Sequence, residues 1–171
     1  MGRDKASLDW HGRTLLDHMV HLLSAVADPV RVVGRGDLPD HLPGLGPLSG
    51  IATALHATST DANLFAAVDL PFLTEDFLKF LKSRIAASSY PLLVCKIGSD
   101  FPLCLGIWRP LLPEIQRRLM ARQLSVRGLV EAGGAEIISE SQLASCGFDR
   151  SLFRNINTEE DYRTGCQEPK K

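Results

Sequence analysis

Asp69 is the side chain whose position most directly suggests chemistry. It ends an apolar run, residues 63–69, which does not alternate with polar residues and so predicts a strand buried on both faces. In open α/β sheets, ligands bind beyond the carboxyl ends of the strands, and Mg²⁺ takes one or two carboxylates together with water and phosphate oxygens. Asp69 is therefore a candidate metal ligand, and an aspartate that only caps a helix or forms a turn is the alternative interpretation.

A glycine-rich segment at residues 46–50, with the sequence G-P-L-S-G, precedes an apolar stretch at 51–57 that predicts a helix. The N–H groups and the dipole at a helix start attract anions, and glycine lets a base or a phosphate approach the backbone closely. The segment is thus a candidate phosphate or base contact. A plain turn followed by a helix cap explains the same residues.

Polar residues close to the two ends of the sequence complete the candidates. If Lys5 followed a phosphate-binding loop, its ammonium would pair with a polyphosphate as a point charge. Without such a loop, Lys5 would only be part of a solvated chain terminus. Asn155 and Asn157 alternate in a stretch that reads as extended, so both amides could point the same way, toward a polar ring system such as a pterin. Asn157 or Thr158 could equally cap the last helix.

The composition limits the class of protein. The chain has 171 residues, of which 44% are hydrophobic and 23% charged, as in an ordinary single globular domain. Its formal net charge of −1 lacks the basic surplus that is usual in nucleic-acid binders. The sequence shows no apolar run near the ~20 residues of a spanning helix, no secretory-signal pattern and no C-x-x-C spacing. We therefore expect a cytoplasmic protein without nucleic-acid or membrane partners.

Strands and helices are predicted to alternate along the chain. Apolar residues at helical spacing predict helices at 14–27, after a Thr74 cap, at 113–122, at 125–131 and in a last turn at 159–163. Apolar runs predict strands at 30–33, 63–69, 92–96, 103–107 and 135–138. Such alternation predicts an α/β domain with a mostly parallel sheet covered by helices.

Five segments, in order along the chain, resemble the motifs of the molybdenum cofactor guanylyltransferases, the MobA-type enzymes of the nucleotidyltransferase superfamily. Residues 1–6 resemble the second half of the signature L-A-G-G-x-S-x-R-M-G-x-D-K-A, and residues 9–16 resemble the block that follows it. Residues 40–51 are similar to D-x-x-P-G-x-G-P-L-x-G-I. Residues 68–73 resemble C-D-x-P-F-L, and residues 153–161 resemble F-x-N-I-N-T-x-x-D.

The resemblance implies a Rossmann-like, mostly parallel sheet with helices on both faces, in a single domain at 1–165 that is followed by a polar tail at 166–171. It also implies an enzyme that transfers GMP from GTP to molybdopterin or molybdenum-molybdopterin, with Mg²⁺ as cofactor. Lys5 and Asp69 would be the catalytic residues, with Lys5 on the GTP phosphates and Asp69 on the metal. The nucleotide-binding residues that it implies are Lys5, Asp40, Gly46, Pro47 and Asp69.

On the acceptor side, the resemblance implies that Asn155 and Asn157 bind molybdopterin. The terminal phosphate of the pterin would attack the α-phosphorus of GTP in line, to give molybdopterin guanine dinucleotide and pyrophosphate. No side-chain nucleophile is expected, so catalysis would depend on positioning and electrostatics. Other proteins of cofactor maturation are expected as partners.

The sequence departs from the family signature in two places. The strand and the L-A-G-G part of the glycine-rich loop are missing ahead of residue 1, so we expect the domain to be N-terminally incomplete and the native protein to start upstream. The stretch from 33 to 40 is also short. Two alternatives therefore stay open: a related nucleotidyltransferase that uses CTP or another nucleotide, and a non-catalytic remnant of the fold that binds a cofactor or a protein.

Overall fold

The computed structural model describes residues 4–36 and 38–167. Its strands are β1 (Asp9–Trp10), β2 (Arg13–Thr14), β3 (Ala62–Ala66), β4 (Leu92–Lys96), β5 (Cys104–Trp108) and β6 (Ala135–Ser139). Its helices are α1 (Leu15–Ser24), α2 (Pro47–Ala57), α3 (Glu75–Ala87), α4 (Leu112–Met120), α5 (Val126–Glu131), α6 (Glu140–Ser145) and α7 (Glu159–Gln167). Short 3₁₀ helices lie at Lys5–Ser7, Arg109–Leu111 and Arg150–Phe153.

The central sheet of the described chain has the strand order β3–β5–β4–β6. β4 and β6 are parallel, whereas β5 is antiparallel to both of its neighbours, so β3, β4 and β6 share one direction. The prediction of an α/β fold with a mostly parallel sheet is confirmed, and β5 is the reversed strand. A separate hairpin, formed by β1 and β2, precedes α1.

Helices cover both faces of this sheet, as expected. Because side chains alternate along a strand, β4 contributes to two apolar clusters. Leu93 and Cys95 pack on the face covered by α1 and α3, and Leu92 and Val94 pack on the face covered by α2 and α4. No helix in the described part of the chain combines the length and the apolar character needed to cross a lipid bilayer.

Several element boundaries differ from the sequence-based expectations. β3 ends at Ala66 instead of residue 69, so Asp69 does not end the strand but lies in the turn after it. α1 ends at Ser24 instead of residue 27. α2 begins at Pro47 rather than at residue 51, because proline fits the first position of a helix; residues 47–50 are thus helical and not a turn. α7 continues to Gln167, so the first two residues of the expected polar tail are helical. The rest of that tail, and residues 1–3 of the N-terminal motif, lie outside the described residues.

The predicted strand at residues 30–33 is wrong for this structure, since these residues pair with no strand in the part of the chain that the structure describes. Their sequence, Val-Arg-Val-Val, favours extended backbone. A strand also needs a partner that supplies ladder hydrogen bonds, and β3 lies on the opposite side of an apolar groove from these residues. The missing partner, rather than the local sequence, explains the difference.

Candidate active site at the carboxyl end of β3

An extended C-terminal segment lies across the loop that follows β3. The N–H of Ile156 donates to the main-chain oxygen of Asp69 over 2.9 Å, and the Ile156 side chain is fully buried. Asn155 and Asn157, on either side of it, are exposed, as alternation in an extended segment requires. The structure thus brings the two amides and Asp69 to the same end of the sheet.

Lys5 lies against this C-terminal segment. The N-terminal 3₁₀ helix that contains Lys5 is capped by Asp4, whose carboxylate accepts from the N–H of Ala6 over 3.2 Å. The Lys5 ammonium donates to Oδ1 of Asn157 over 2.7 Å. The residue assigned to phosphate and one of the residues assigned to the pterin are therefore in direct contact.

Thr158, rather than Asn157, caps helix α7. Its hydroxyl oxygen accepts from the N–H of Asp161 over 3.0 Å, and the Asp161 carboxylate accepts from the N–H groups of Asn157 and Thr158 over 3.0 and 2.7 Å. The hydrogen bond from the Thr158 side chain, followed by those two N–H groups, holds the pKa of Asp161 below its ordinary value. This cap leaves the Asn157 side chain available to Lys5.

Asp69 is a partly buried residue. Within residues 4–36 and 38–167, the Asp69 side chain has no hydrogen bond or ion pair. The same residues contain no group of three or more His, Cys, Asp or Glu side chains arranged to hold a metal ion. A site enclosed by several protein ligands is therefore not formed by these residues. A single available carboxylate is compatible with Mg²⁺, because this ion completes its shell with water and phosphate oxygens.

Asp40 serves the local structure of its loop. Its Oδ1 accepts from the Ser49 hydroxyl over 2.5 Å, from the N–H of Leu42 over 3.1 Å and from the Thr53 hydroxyl over 3.3 Å. Ser49 and Thr53 are each only 1% exposed, and buried hydroxyls need partners. Asp40 thus anchors the loop at 40–46 to helix α2, and a direct contact with the nucleotide stays a prediction.

Gly46 and Pro47 form the start of helix α2. Gly46 has a φ of 73°, a conformation that glycine adopts without strain, and no side chain caps the helix. Pro47 borders the apolar groove that Val68, the residue before Asp69, also borders. The start of α2 and the end of β3 therefore border a common apolar groove, and a phosphate-binding role for Gly46 and Pro47 stays a prediction.

An aromatic cluster that the sequence analysis missed supports the site. Trp10 is 3% exposed and meets Phe72 edge to face, with the ring centres 5.4 Å apart. Gly165 of α7 packs against both rings, since a Cβ there would lie 2.6 Å from Trp10 and 3.0 Å from Phe72. The Arg154 guanidinium lies 3.9 Å from the centre of the Phe72 ring, within cation–π range. Arg154 directly precedes the candidate residue Asn155 in the sequence, and this position was the only sequence feature that could have indicated its place beside the site.

His18 of α1 also contacts the loop after Asp69. Its Nε2 lies 2.9 Å from the main-chain oxygen of Pro71, which can only accept, so Nε2 carries the proton. Burial lowers the pKa of His18, although the hydrogen bond to Pro71 acts in the opposite direction. The neutral ring is thus favoured. Nothing in the spacing of the sequence indicates this contact.

The comparisons with known proteins all indicate the same family. Residues 1–137 match the family model of the MobA-like NTP transferase domain. A probable molybdenum cofactor guanylyltransferase of Carboxydothermus hydrogenoformans is 30% identical over 172 residues, which cover 95% of this chain and 86% of that protein. The molybdenum cofactor guanylyltransferase of Xanthomonas euvesicatoria is 32% identical over 170 residues, which cover 95% and 85% of the two chains.

The fold is also that of a solved structure. Molybdopterin-guanine dinucleotide biosynthesis protein A from Archaeoglobus fulgidus superposes with a TM-score of 0.75 at 19% identity, over 96% of this chain and 89% of that chain. At this identity the likeness shows the fold. Together with the family model and the two relatives, it establishes that this chain belongs to the MobA-like NTP transferases, a family of nucleotidyltransferase enzymes.

Proposed function

We propose that this chain transfers GMP from GTP to molybdopterin, or to molybdenum-molybdopterin, and releases pyrophosphate. The hydrogen bond between Lys5 and Asn157 is the observation that supports this most directly. It joins a cation suited to the GTP phosphates to an amide suited to a pterin, near the turn after β3 that carries Asp69. The guanylyl group and the molybdenum cofactor come from the names of the relatives.

On the donor side, Lys5 turns from Asn157 toward the polyphosphate of GTP. Its ammonium offsets the negative charge that develops on the pyrophosphate as it leaves. The start of α2 at Gly46 and Pro47 lies along the nucleotide, where the helix dipole favours an anion. Asp40 acts on the same segment by anchoring its loop to α2.

Asp69 is the proposed Mg²⁺ ligand, with phosphate oxygens and water completing the coordination. When bound, the ion supplies positive charge that stabilises the negative charge on the reacting phosphates. The main-chain oxygen of Asp69 already accepts from Ile156. This hydrogen bond fixes the main chain at Asp69 beside the segment that carries Asn155 and Asn157, which supports a metal site next to the proposed pterin site.

On the acceptor side, Asn155 and Asn157 hydrogen-bond to the pterin ring and orient its terminal phosphate. An oxygen of that phosphate attacks the α-phosphorus of GTP. The new P–O bond forms as the bond between the α-phosphorus and the bridging oxygen of pyrophosphate breaks. No covalent enzyme intermediate is required, so the side chains act by positioning and by electrostatics.

The test is a turnover assay of the purified chain with molybdopterin, MgCl₂ and GTP that carries a radioactive α-phosphate. The expected result is a labelled dinucleotide and unlabelled pyrophosphate, with CTP and ATP inactive. A labelled product from CTP instead of GTP would overturn the guanine assignment. Binding of GTP without product, from protein shown by circular dichroism to be folded, would favour a role in binding alone.

A further inference from the structure

A cavity of about 330 Å³ lies between α4, the end of α5 and the segment that leads into β6. Its wall on α4 carries three charged side chains, those of Glu114, Arg117 and Arg118, and the other residues that line it are apolar or glycine. The volume falls at the low end of the roughly 300–1,000 Å³ that is usual for small-molecule sites. We call this space the α4–α5 cavity.

The α4–α5 cavity lies at the end of the sheet opposite Asp69. It borders Leu92, the first residue of β4, and Gly134, the residue before β6. β3, β4 and β6 share one direction, and Asp69 follows the other end, the carboxyl end, of β3. The cavity is therefore separate from the candidate active site.

Arg118 brings an almost buried cation to this cavity. Its side chain is only 9% exposed, and its Nε donates to Oε1 of Glu114 over 2.7 Å. Within residues 4–36 and 38–167, its terminal nitrogens Nη1 and Nη2 have no acceptor. No fully buried side-chain nitrogen in the same residues lacks a partner, so both terminal nitrogens reach open space. The cavity is the open space that Arg118 borders.

Glu114 does not neutralise both arginines. Arg117 uses both of its carboxylate oxygens, with Nε on Oε2 and Nη2 on Oε1, each over 2.7 Å. The hydrogen bond from Arg117, followed by that from Arg118, lowers the pKa of Glu114 to about 2, although burial acts in the opposite direction. The carboxylate is thus ionised at neutral pH. Two positive charges face one negative charge, and one positive charge is in excess.

We propose that the α4–α5 cavity binds the phosphate group of a small molecule, either inorganic phosphate or a phosphomonoester. Nη1 and Nη2 of Arg118 would donate to two oxygens of that group, the paired geometry in which a guanidinium recognises phosphate. Arg117 also borders the cavity, and its Nη1 has no acceptor among the described residues. A third phosphate oxygen can accept from it.

Other ligand classes fit less well. The excess positive charge disfavours a metal cation, and an apolar ligand would leave the terminal nitrogens of Arg118 without an acceptor. A carboxylate offers only two oxygens, whereas the two arginines present three unpartnered nitrogens. The inference depends on this cavity alone and is independent of the proposed reaction.

The test is an NMR titration of the ¹⁵N-labelled chain in which inorganic phosphate replaces chloride at constant ionic strength. The Nε–H signal of Arg118 and the amide signals of Gly133 and Gly134, which line the cavity, should shift together and saturate. Glycerol 3-phosphate should shift the same signals, and tighter binding by it would identify a phosphomonoester as the ligand.

Three results of this titration would overturn the proposal. The first is the absence of a saturating shift at Arg118, Gly133 and Gly134, which would mean an adventitious ion only. The second is a set of shifts confined to residues around Gly46, which would place the anion in the proposed nucleotide site. The third is tighter binding by malonate than by phosphate, which would assign the cavity to a carboxylate.

Variants of the cavity wall give a second test. Ala132→Glu adds a carboxylate at an exposed position of the lining, where it competes for the arginines, and should lower phosphate affinity at least about ten-fold. Ala144→Glu, exposed on α6 and outside the cavity, is the matched control and should keep the native affinity.

Arg118→Gln should also lower phosphate affinity at least about ten-fold, because it removes a charge-assisted pair of hydrogen bonds; circular dichroism checks that this variant is folded. Native affinity in Ala132→Glu, together with native affinity in folded Arg118→Gln, would show that the anion binds elsewhere.

Discussion

The ammonium of Lys5 donates a hydrogen bond to Oδ1 of Asn157 over 2.7 Å, across 152 positions of the sequence. The contact is exposed, so it contributes little to stability and can open when substrates bind. The contact places the Lys5 ammonium beside the C-terminal segment that bonds to the turn after β3, where Asp69 lies. Thr158 supplies the helix cap that Asn157 would otherwise provide.

Asn157→Ala should therefore lower the affinity for molybdopterin by up to about ten-fold, which corresponds to the net free energy of one hydrogen bond. GTP binding should change less, since Lys5 keeps its charge and is released from its partner. Calorimetric titration of both ligands measures the difference, with Gln123→Ala, an exposed amide far along the chain, as the control. An equal loss for both ligands would indicate that Asn157 acts only as a structural residue.

Asp69→Asn should lower Mg²⁺-dependent turnover by at least about a hundred-fold, because an amide is a much weaker ligand than a carboxylate for a metal that stabilises the transferring phosphates. The fold should persist, because Ile156 bonds to the main-chain oxygen of Asp69, which the variant retains. The assay is initial rate against MgCl₂ concentration, with circular dichroism as a check on folding. Asp61→Asn, just before the other end of β3, is the matched control. If Asp69→Asn kept the turnover of the native chain, Asp69 would not be a ligand of the metal.

The fold could be predicted because its strands are apolar runs and its helices carry regular apolar spacing. β4 coincides with the prediction of residues 92–96, and β5 begins only one residue later than predicted. The strand at residues 30–33 could not be predicted correctly, since local sequence does not show whether a neighbouring strand is present. Helix α6 was missed for another reason: it is short, and it depends on a capping box between Ser139 and Gln142.

The site was predictable where its residues belong to sequence motifs. Lys5, Asp69, Asn155 and Asn157 converge in the structure, although their roles stay predictions. The contact of His18 with Pro71 depends on how α1 packs against a loop more than 50 residues away, and no local pattern encodes that packing. The same holds for Arg154 over Phe72 and for Gly165 against Trp10.

Asp40→Ala should lower the free energy of unfolding by about 1–3 kcal/mol, because it removes the acceptor of the buried Thr53 hydroxyl and of the Leu42 N–H, whereas the Ser49 hydroxyl keeps the main-chain oxygen of Leu42 at 2.8 Å. Asp40→Asn retains Oδ1 and should lose less than half as much. Urea denaturation of both variants checks this, with Asp61→Ala as an exposed control. If Asp40→Ala left stability unchanged but lowered GTP affinity, Asp40 would be a nucleotide contact and not an anchor of its loop.

The pH dependence of stability should report on His18. Burial lowers its pKa below the ordinary value of 6.5, so below that pH the unfolded chain binds a proton more readily than the folded chain. The contribution of neutral His18 is therefore complete above about pH 6.5 and is lost as the pH falls from there through the lowered pKa.

His18→Gln tests this directly, because the glutamine amide can still donate to the oxygen of Pro71 but does not titrate. The free energy of unfolding of the native chain should fall more steeply than that of the variant between pH 7 and pH 5, and the two should run in parallel above pH 7. His21→Gln, an exposed position on the same helix, should keep the native slope. Parallel curves over the whole range for His18→Gln would mean that the ring titrates alike in the folded and unfolded chain, and that burial in α1 does not favour its neutral form.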